Sequence, residues 1–273
     1  MPGRPKPAHA KPPDAKPTDA KPPATKPARP KHSYVGAHAF YADVLATLSE
    51  SGVPFLVGGG WAVIAYTQID RPVKDIDVFC RAGDYPRILA YCKQHGYEIA
   101  IEDERWIAKI CRGKFFCDVI FSSANAVAPV NNTWFAQECW GTVLGVRVRL
   151  LPPTELVWSK ALIMDRARYD GSDVAHVIMK QHHHINWRRL MAHMNQYWEV
   201  LLVHILLFRF IYPSMRHVVP DWLFDELLER LDAQRGLPDS RKRACRGRIF
   251  SRDDYKTDIQ RWGYADLIGD DRT

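Results

Sequence analysis

The chain has few cysteines, no long apolar run and little net charge outside one end, and each shortage argues against a class of protein. Cys80, Cys92, Cys111, Cys117, Cys139 and Cys245 are scattered with no Cys-x-x-Cys spacing. That pattern does not suit a zinc knuckle or a small disulfide scaffold and predicts reduced thiols. The longest apolar stretch, 200–212, is interrupted by His204 and Arg209. It falls well short of the roughly 20 residues that cross a bilayer. The opening residues are proline-rich and lack the apolar segment of a secretory leader. A soluble, cytoplasmic protein without membrane contact is the expectation.

Charge is unevenly placed. The formal net charge is +7, but residues 1–32 hold eight Lys or Arg against two Asp and so account for six of those charges. The rest of the chain is nearly neutral, which argues against a long RNA partner whose binding would rest on many phosphate contacts. Within that first stretch lysine recurs every fifth residue, at 6, 11, 16, 21, 26 and 31, each but the last followed by proline. Such a segment favours extended polyproline II and has almost nothing to bury, so residues 1–33 are expected to be a disordered Lys/Pro/Ala-rich tail. With 47% apolar residues the remainder has ample material for a core.

The most informative stretch is 55–79. An apolar run ends in Gly58-Gly59-Gly60, a helix-competent segment starting Trp61-Ala62 follows, and the stretch closes on Asp75-Ile76-Asp77-Val78-Phe79. The last five residues alternate as a half-buried strand does, so Asp75 and Asp77 share one face while Ile76 and Val78 point into the core. Two carboxylates at that spacing repel each other unless a cation sits between them. Mg²⁺ suits the position, because it retains water and phosphate oxygens and needs only one or two protein carboxylates. Residues without Cβ let backbone N–H groups approach an anion closely, and the helix that follows aims its positive end at the same place. Gly59 and Gly60 therefore read as a phosphate cradle facing a carboxylate metal site.

Further along, 106–111 and 114–121 read as two strands joined at Arg112-Gly113. Phe116, Asp118 and Ile120 share a face of the second. An acid among apolar neighbours is costly unless something binds it, so Asp118 is a candidate metal ligand or base. Ser122, Ser123 and Asn125 follow it and could line a rim. Pro152-Pro153 and Thr154 then predict a helix over 155–167, and Ser172 starts another. Trp187 to Phe210 and Asp221 to Leu231 read as helical. His182-His183-His184 reads as a solvent-facing loop, since adjacent histidines cannot converge on one ion. Arg241, Lys242, Arg243, Arg246 and Arg248 are followed closely by acids and read as a mixed-charge surface.

The order of Gly59-Gly60-Trp61-Ala62, Arg71-Pro72-Val73-Lys74-Asp75-Ile76-Asp77 and a later strand carrying Asp118 resembles the DNA polymerase beta-like nucleotidyltransferase superfamily. It is most similar to the small bacterial members, which include antibiotic and toxin-type transferases. The resemblance implies an α+β fold, a small mixed sheet with flanking helices over 34–151 followed by a helical cap over 152–273. It also implies two Mg²⁺ ions on Asp75, Asp77 and Asp118, and a nucleoside triphosphate held by Gly59, Gly60 and a helix lysine that matches Lys160, with Lys74 adding charge. Transfer of a nucleoside monophosphate to a hydroxyl of a small molecule, a protein or an RNA end, with release of pyrophosphate, would follow. The alternative is a non-catalytic module that binds nucleic acid or another acidic partner through the basic tail. Three retained, mutually repelling carboxylates count against it.

Overall fold

The computed structural model describes residues 32–123, 127–251 and 253–267, with side chains from residue 36 onward. The tail expected over 1–33 lies outside the described residues as far as Lys31, as does Asn125; His32 and Ser33 open the first helix.

That helix, α1 (His32–Glu50), buries Ala37, Phe40, Tyr41, Val44, Leu45 and Leu48, which recur at helical spacing. Gly52, at φ 65°, turns the chain into β1 (Leu56–Val57). The triglycine leads into α2 (Gly59–Thr67), which ends where Gln68 adopts a left-handed conformation and donates its N–H to the Ile64 carbonyl. Then come β2 (Ile76–Phe79), α3 (Tyr85–Gln94), β3 (Glu98–Asp103), β4 (Ile107–Arg112) and β5 (Phe115–Ile120). These five strands form one mixed sheet in the order β1-β2-β5-β4-β3, with only the β2–β5 pair parallel. β3 was not anticipated from the sequence. It is a largely exposed edge strand carrying Glu98, Glu102 and Asp103, and its charges blunt a free edge while diluting any hydrophobic alternation.

The second half begins with a short strand, β6 (Ala128–Pro129), and a hairpin of β7 (Trp140–Val143) and β8 (Val146–Arg149). Helices α4 (Pro153–Ala161), α5 (Gly171–Gln181), α6 (Trp187–His193), α7 (Trp198–Ile211) and α8 (Asp221–Gln234) follow. The chain closes on β9 (Ala244–Cys245), the short α9 (Lys256–Gln260) and β10 (Ala265–Asp266), with β9 and β10 paired in parallel.

Two helices are shorter than their sequences suggest. α4 stops at Ala161 rather than continuing to Ala167, because the Asp165 carboxylate accepts from the Ala167 and Arg168 N–H groups and folds 164–169 into a tight turn. An aspartate that bonds nearby backbone in this way competes with helix continuation. The helix expected over 187–210 is split by a 3₁₀ turn at Asn195–Tyr197, where Asn195 accepts from Arg230 on α8. His183 and His184 are solvent-exposed, as expected of that loop.

The sheet divides the interior in two. On one face Ile76, Val78, Cys117 and Val119 pack against α1 and α3. On the other, Phe79, Ile107 and Ile120 join a larger core with Trp134, Trp158 and apolar residues from α4 to α8. By strand alternation Asp77 and Asp118 belong to this second face, so the helical half packs against the face that carries the acids.

A charge network fastens the two halves. Arg71, after α2, donates from both terminal nitrogens to Asp173 of α5, at 2.5 and 2.8 Å. Lys160 of α4, with a side chain only 3% exposed, sits 2.7 Å from Asp170 and 2.8 Å from Asp173. Burial alone would raise the Asp173 pKa, yet Arg71 and Lys160 outweigh it and hold the group below its ordinary value. Asp173→Asn would leave Lys160 and Arg71 short of a buried countercharge, a change that costs about 3–5 kcal/mol. We expect urea denaturation to show a loss of that size, with an unchanged dependence on denaturant concentration.

Candidate active site

Asp77 and Asp118 are direct neighbours across the parallel β2–β5 ladder. Paired strands lie about 4.8 Å apart, so side chains at one register position and on one face cannot avoid each other. Lys109 is the antiparallel partner of Asp118 on the other side, with Nζ 3.7 Å from Oδ1, but its nearer ion pair is to Glu102 at 2.8 Å. The Oδ1 atom of Asp118 is buried and has no hydrogen-bond donor. Asp75 lies just before β2 rather than within it, and its backbone is pinned instead: the Trp61 indole N–H donates to the Asp75 carbonyl at 3.0 Å, and the Tyr41 hydroxyl donates to the Lys74 carbonyl.

The glycines explain themselves by contact. A Cβ on Gly59 would fall 1.7 Å from Oδ2 of Asp77, and Gly59 has φ 55°. No other residue fits between helix and carboxylate. Gly60 would press a Cβ to within 2.9 Å of Val73, so its smallness lets α2 sit close to the segment leading into β2. The Gly58 N–H is taken by the Asp77 carbonyl at 2.9 Å, whereas first-turn amides of a helix have no carbonyl partner within it. α2 therefore presents unpaired backbone donors beside the acids.

A cleft of about 230 Å³ opens at this point, lined by Gly59, Asp77, Asp118, Ser123, Lys160 and Arg168, with Trp106 and Phe250 among its apolar walls. Of the residues singled out from sequence, Gly59, Asp77, Asp118, Ser123 and Lys160 come together here. Asp75 stands at the entrance to the strand, Gly60 supports from behind, and Lys74 is exposed and does not line the cleft. Arg168, Asp165 and Phe250 are cleft residues that the sequence did not reveal, although the pattern of Asp165 two and three residues before Ala167 and Arg168 is a turn signal.

The electrostatics follow from burial. Desolvation, and then the charge on Asp77, push Asp118 up to about 7; desolvation and then Asp75 raise Asp77 as well. Among the described residues no Lys or Arg forms an ion pair with Asp75 or Asp77, and no group of three or more His, Cys, Asp or Glu stands ready to hold a metal. Two adjacent carboxylates, one with a buried oxygen that accepts no hydrogen bond, are nonetheless the donor set that suits a hard cation keeping most of its shell for water and phosphate.

The comparisons with known proteins bear on this same segment. Residues 41–110 match the family model described as aminoglycoside-2''-adenylyltransferase. The match covers about a quarter of the chain. The matched stretch contains Gly59, Gly60, Lys74, Asp75 and Asp77 and ends before Asp118 and Lys160. Among solved structures, the antibiotic-resistance factor ANT(2'')-Ia in solution is similar at 18% identity, covering 67% of this chain and 96% of that one, with a TM-score of 0.40. ANT(2'')-Ia in complex with adenylyl-2''-tobramycin is similar at 17% identity over 64% of this chain and 98% of that one, with a TM-score of 0.39. The lincosamide antibiotic adenylyltransferase LnuA, bound to lincomycin, is similar at 15% identity over 51% and 94%, with a TM-score of 0.38. No curated protein sequence matches the chain.

Two outcomes are expected of this geometry. Gly59→Ala forces Asp77 aside by more than an ångström, and displacements of that order cost about 100-fold in rate. A nucleotidyl-transfer assay should show that loss in a variant that still folds. The second concerns pH. With its pKa raised to about 7, Asp118 keeps a proton in the folded state that the unfolded chain has already lost, so its contribution to stability declines as pH rises from about 4 to 7. In chelator-treated protein, Asp118→Asn should gain in melting temperature relative to the parent across that window; a constant difference would contradict the assignment.

Proposed function

We propose that the protein is a nucleotidyltransferase that moves a nucleoside monophosphate from a nucleoside triphosphate to a hydroxyl acceptor, releasing pyrophosphate. The observation that carries the reading is the register of Asp77 against Asp118 on paired strands, directly beneath a glycine that no side chain could replace. Asp75, Asp77 and Asp118 would hold Mg²⁺, two ions in the reading taken from the family; bound there, the metal would neutralise phosphate charge and acidify the attacking hydroxyl.

The chain's own part is positioning and charge. First-turn amides of α2 at Gly59 and Gly60 would donate to phosphate oxygens, and the helix would add its positive end. Lys160 on the cleft wall and Lys74 on the exposed approach are the cations that the family resemblance offers for the phosphates. In-line displacement at a phosphoryl centre needs alignment and electrostatic stabilisation more than covalent help from the protein. Trp106 and Phe250 give the cleft apolar walls on which a base or an acceptor could rest. The family description names adenylyl transfer, so ATP is the first donor to test and a small hydroxylated molecule the first acceptor class, ahead of a protein or an RNA end.

Incubating the protein with each α-labelled nucleoside triphosphate, Mg²⁺ and a cell extract should label one acceptor from one nucleotide. Asp77→Asn should abolish labelling while leaving the metal-free protein as stable as the parent or more so, because it removes a carboxylate from a crowded, buried pair. Unfolding of that variant, or transfer that survives it, would end the proposal.

A further inference from the structure

Lys160 is the cation that the family resemblance offers for the nucleotide phosphates, but its surroundings commit it elsewhere. Two of its three N–H donors face Asp170 at 2.7 Å and Asp173 at 2.8 Å, and its side chain is almost wholly covered. Arg71 spends both terminal nitrogens on Asp173. The remaining cation of the network is Arg168, and it is placed differently. Its side chain is about half exposed, at 52%, it lines the cleft with Asp77 and Asp118, and its charge is felt by both Asp77 and Asp75.

Arg168 is also held in one orientation. The Asp165 carboxylate ties down the backbone of the turn that carries it. Asp170 then accepts from its Nε at 3.1 Å and its Nη2 at 3.0 Å, which leaves Nη1 with no partner among the described residues. The network as a whole has three cations for two carboxylates, and its surplus charge lies where the side chain is exposed. An arginine fixed along one edge and free at the other presents a rigid fork to a phosphate oxygen, and less side-chain freedom is lost on contact than with a lysine.

We propose that Arg168 is the residue that grips the triphosphate of the donor nucleotide, and that Lys160 is a positioning residue that acts through Asp170 to hold the Arg168 guanidinium in place. This inference rests on the nucleotidyltransferase reading. It assigns direct phosphate contact to a side chain outside the matched family segment, on the turn between α4 and α5.

The test is equilibrium binding of ATP, inorganic tripolyphosphate and adenosine, each with Mg²⁺, measured by calorimetry on the full chain. Arg168→Gln should weaken ATP and tripolyphosphate by about 10- to 100-fold, the range for losing one charged hydrogen-bonding partner, and leave adenosine unchanged. Arg168→Lys keeps a cation for Asp170 and loses the fork, so it should fold and still bind tripolyphosphate several-fold more weakly than the parent. Lys160→Met should weaken both phosphate ligands less than Arg168→Gln does. Parental affinity for tripolyphosphate in Arg168→Lys, or in a folded Arg168→Gln, would overturn the assignment. A parent protein that binds neither ATP nor tripolyphosphate would overturn the nucleotidyltransferase reading itself, and the present inference with it.

Discussion

Two carboxylates forced together by strand register, partly desolvated at the floor of a cleft, are the constraint to which the rest of the structure answers. The parallel β2–β5 pairing sets Asp77 against Asp118, and no slippage is tolerated: a shift of one residue would turn Ile76, Val78, Cys117 and Val119 out of their core and bury the acids in it. The apolar face against α1 and α3 thus fixes the position of the acids on the opposite face. Electrostatics alone would disperse them. Packing on the far side of the sheet holds them where repulsion would not.

The remedy lies partly in what surrounds the pair. Gly59 yields the volume that a Cβ would occupy, so the Asp77 carboxylate has room against the start of α2, where the helix end is positive. On the opposite wall Asp170 and Asp173 bind three cations between them and leave one charge uncompensated toward the cleft. Buried ion pairs seldom add stability compared with apolar replacements. Retaining five charged groups at the junction of sheet and helices is therefore better explained by the field they impose on the cleft than by cohesion. The same network joins the segment after α2 to α4, α5 and the turn between them, so the geometry of the cleft depends on both halves of the chain.

How much of this was legible in the sequence depends on the range of the interaction. Period-two alternation around Asp77 and Asp118, the glycine run and the hairpin at Arg112-Gly113 are local patterns, and they placed β2, β4 and β5 with Asp77 and Asp118 on them, whereas Asp75, expected in the same strand, falls just before it. The parallel register that makes the two acids adjacent is a contact across some forty residues, which no local pattern encodes. Lys160 was visible in the sequence through the family resemblance, as a helix lysine for the nucleotide, and not as a buried member of a charge network. Its burial depends on Asp170 and Asp173, whose carboxylates reach it only after the 164–169 turn has reversed the chain. That turn was read as part of the helix started by Pro152-Pro153 and Thr154; the competing signal was the Asp165 side chain. Likewise β3 exists because β4 offers it a ladder, not because Glu98 to Asp103 has a face to bury.

The division of labour between the two halves has a consequence for how the cleft could diversify. The acids and the glycine are fixed by sheet register and close contact, and neither can move without disturbing a core. The opposite wall is different: Arg168 rides on a short turn, and Phe250 comes from the segment between β9 and α9, so neither belongs to the sheet. In the proposed reaction the rigid side would carry the transfer step, while the adaptable wall would hold the donor phosphates through Arg168 and leave the apolar surface at Phe250 to the acceptor. On that physical ground the acceptor is the part of the reaction least constrained by the fold. Likeness in the 41–110 segment therefore speaks to the chemistry of transfer more strongly than to the molecule that receives the nucleotide.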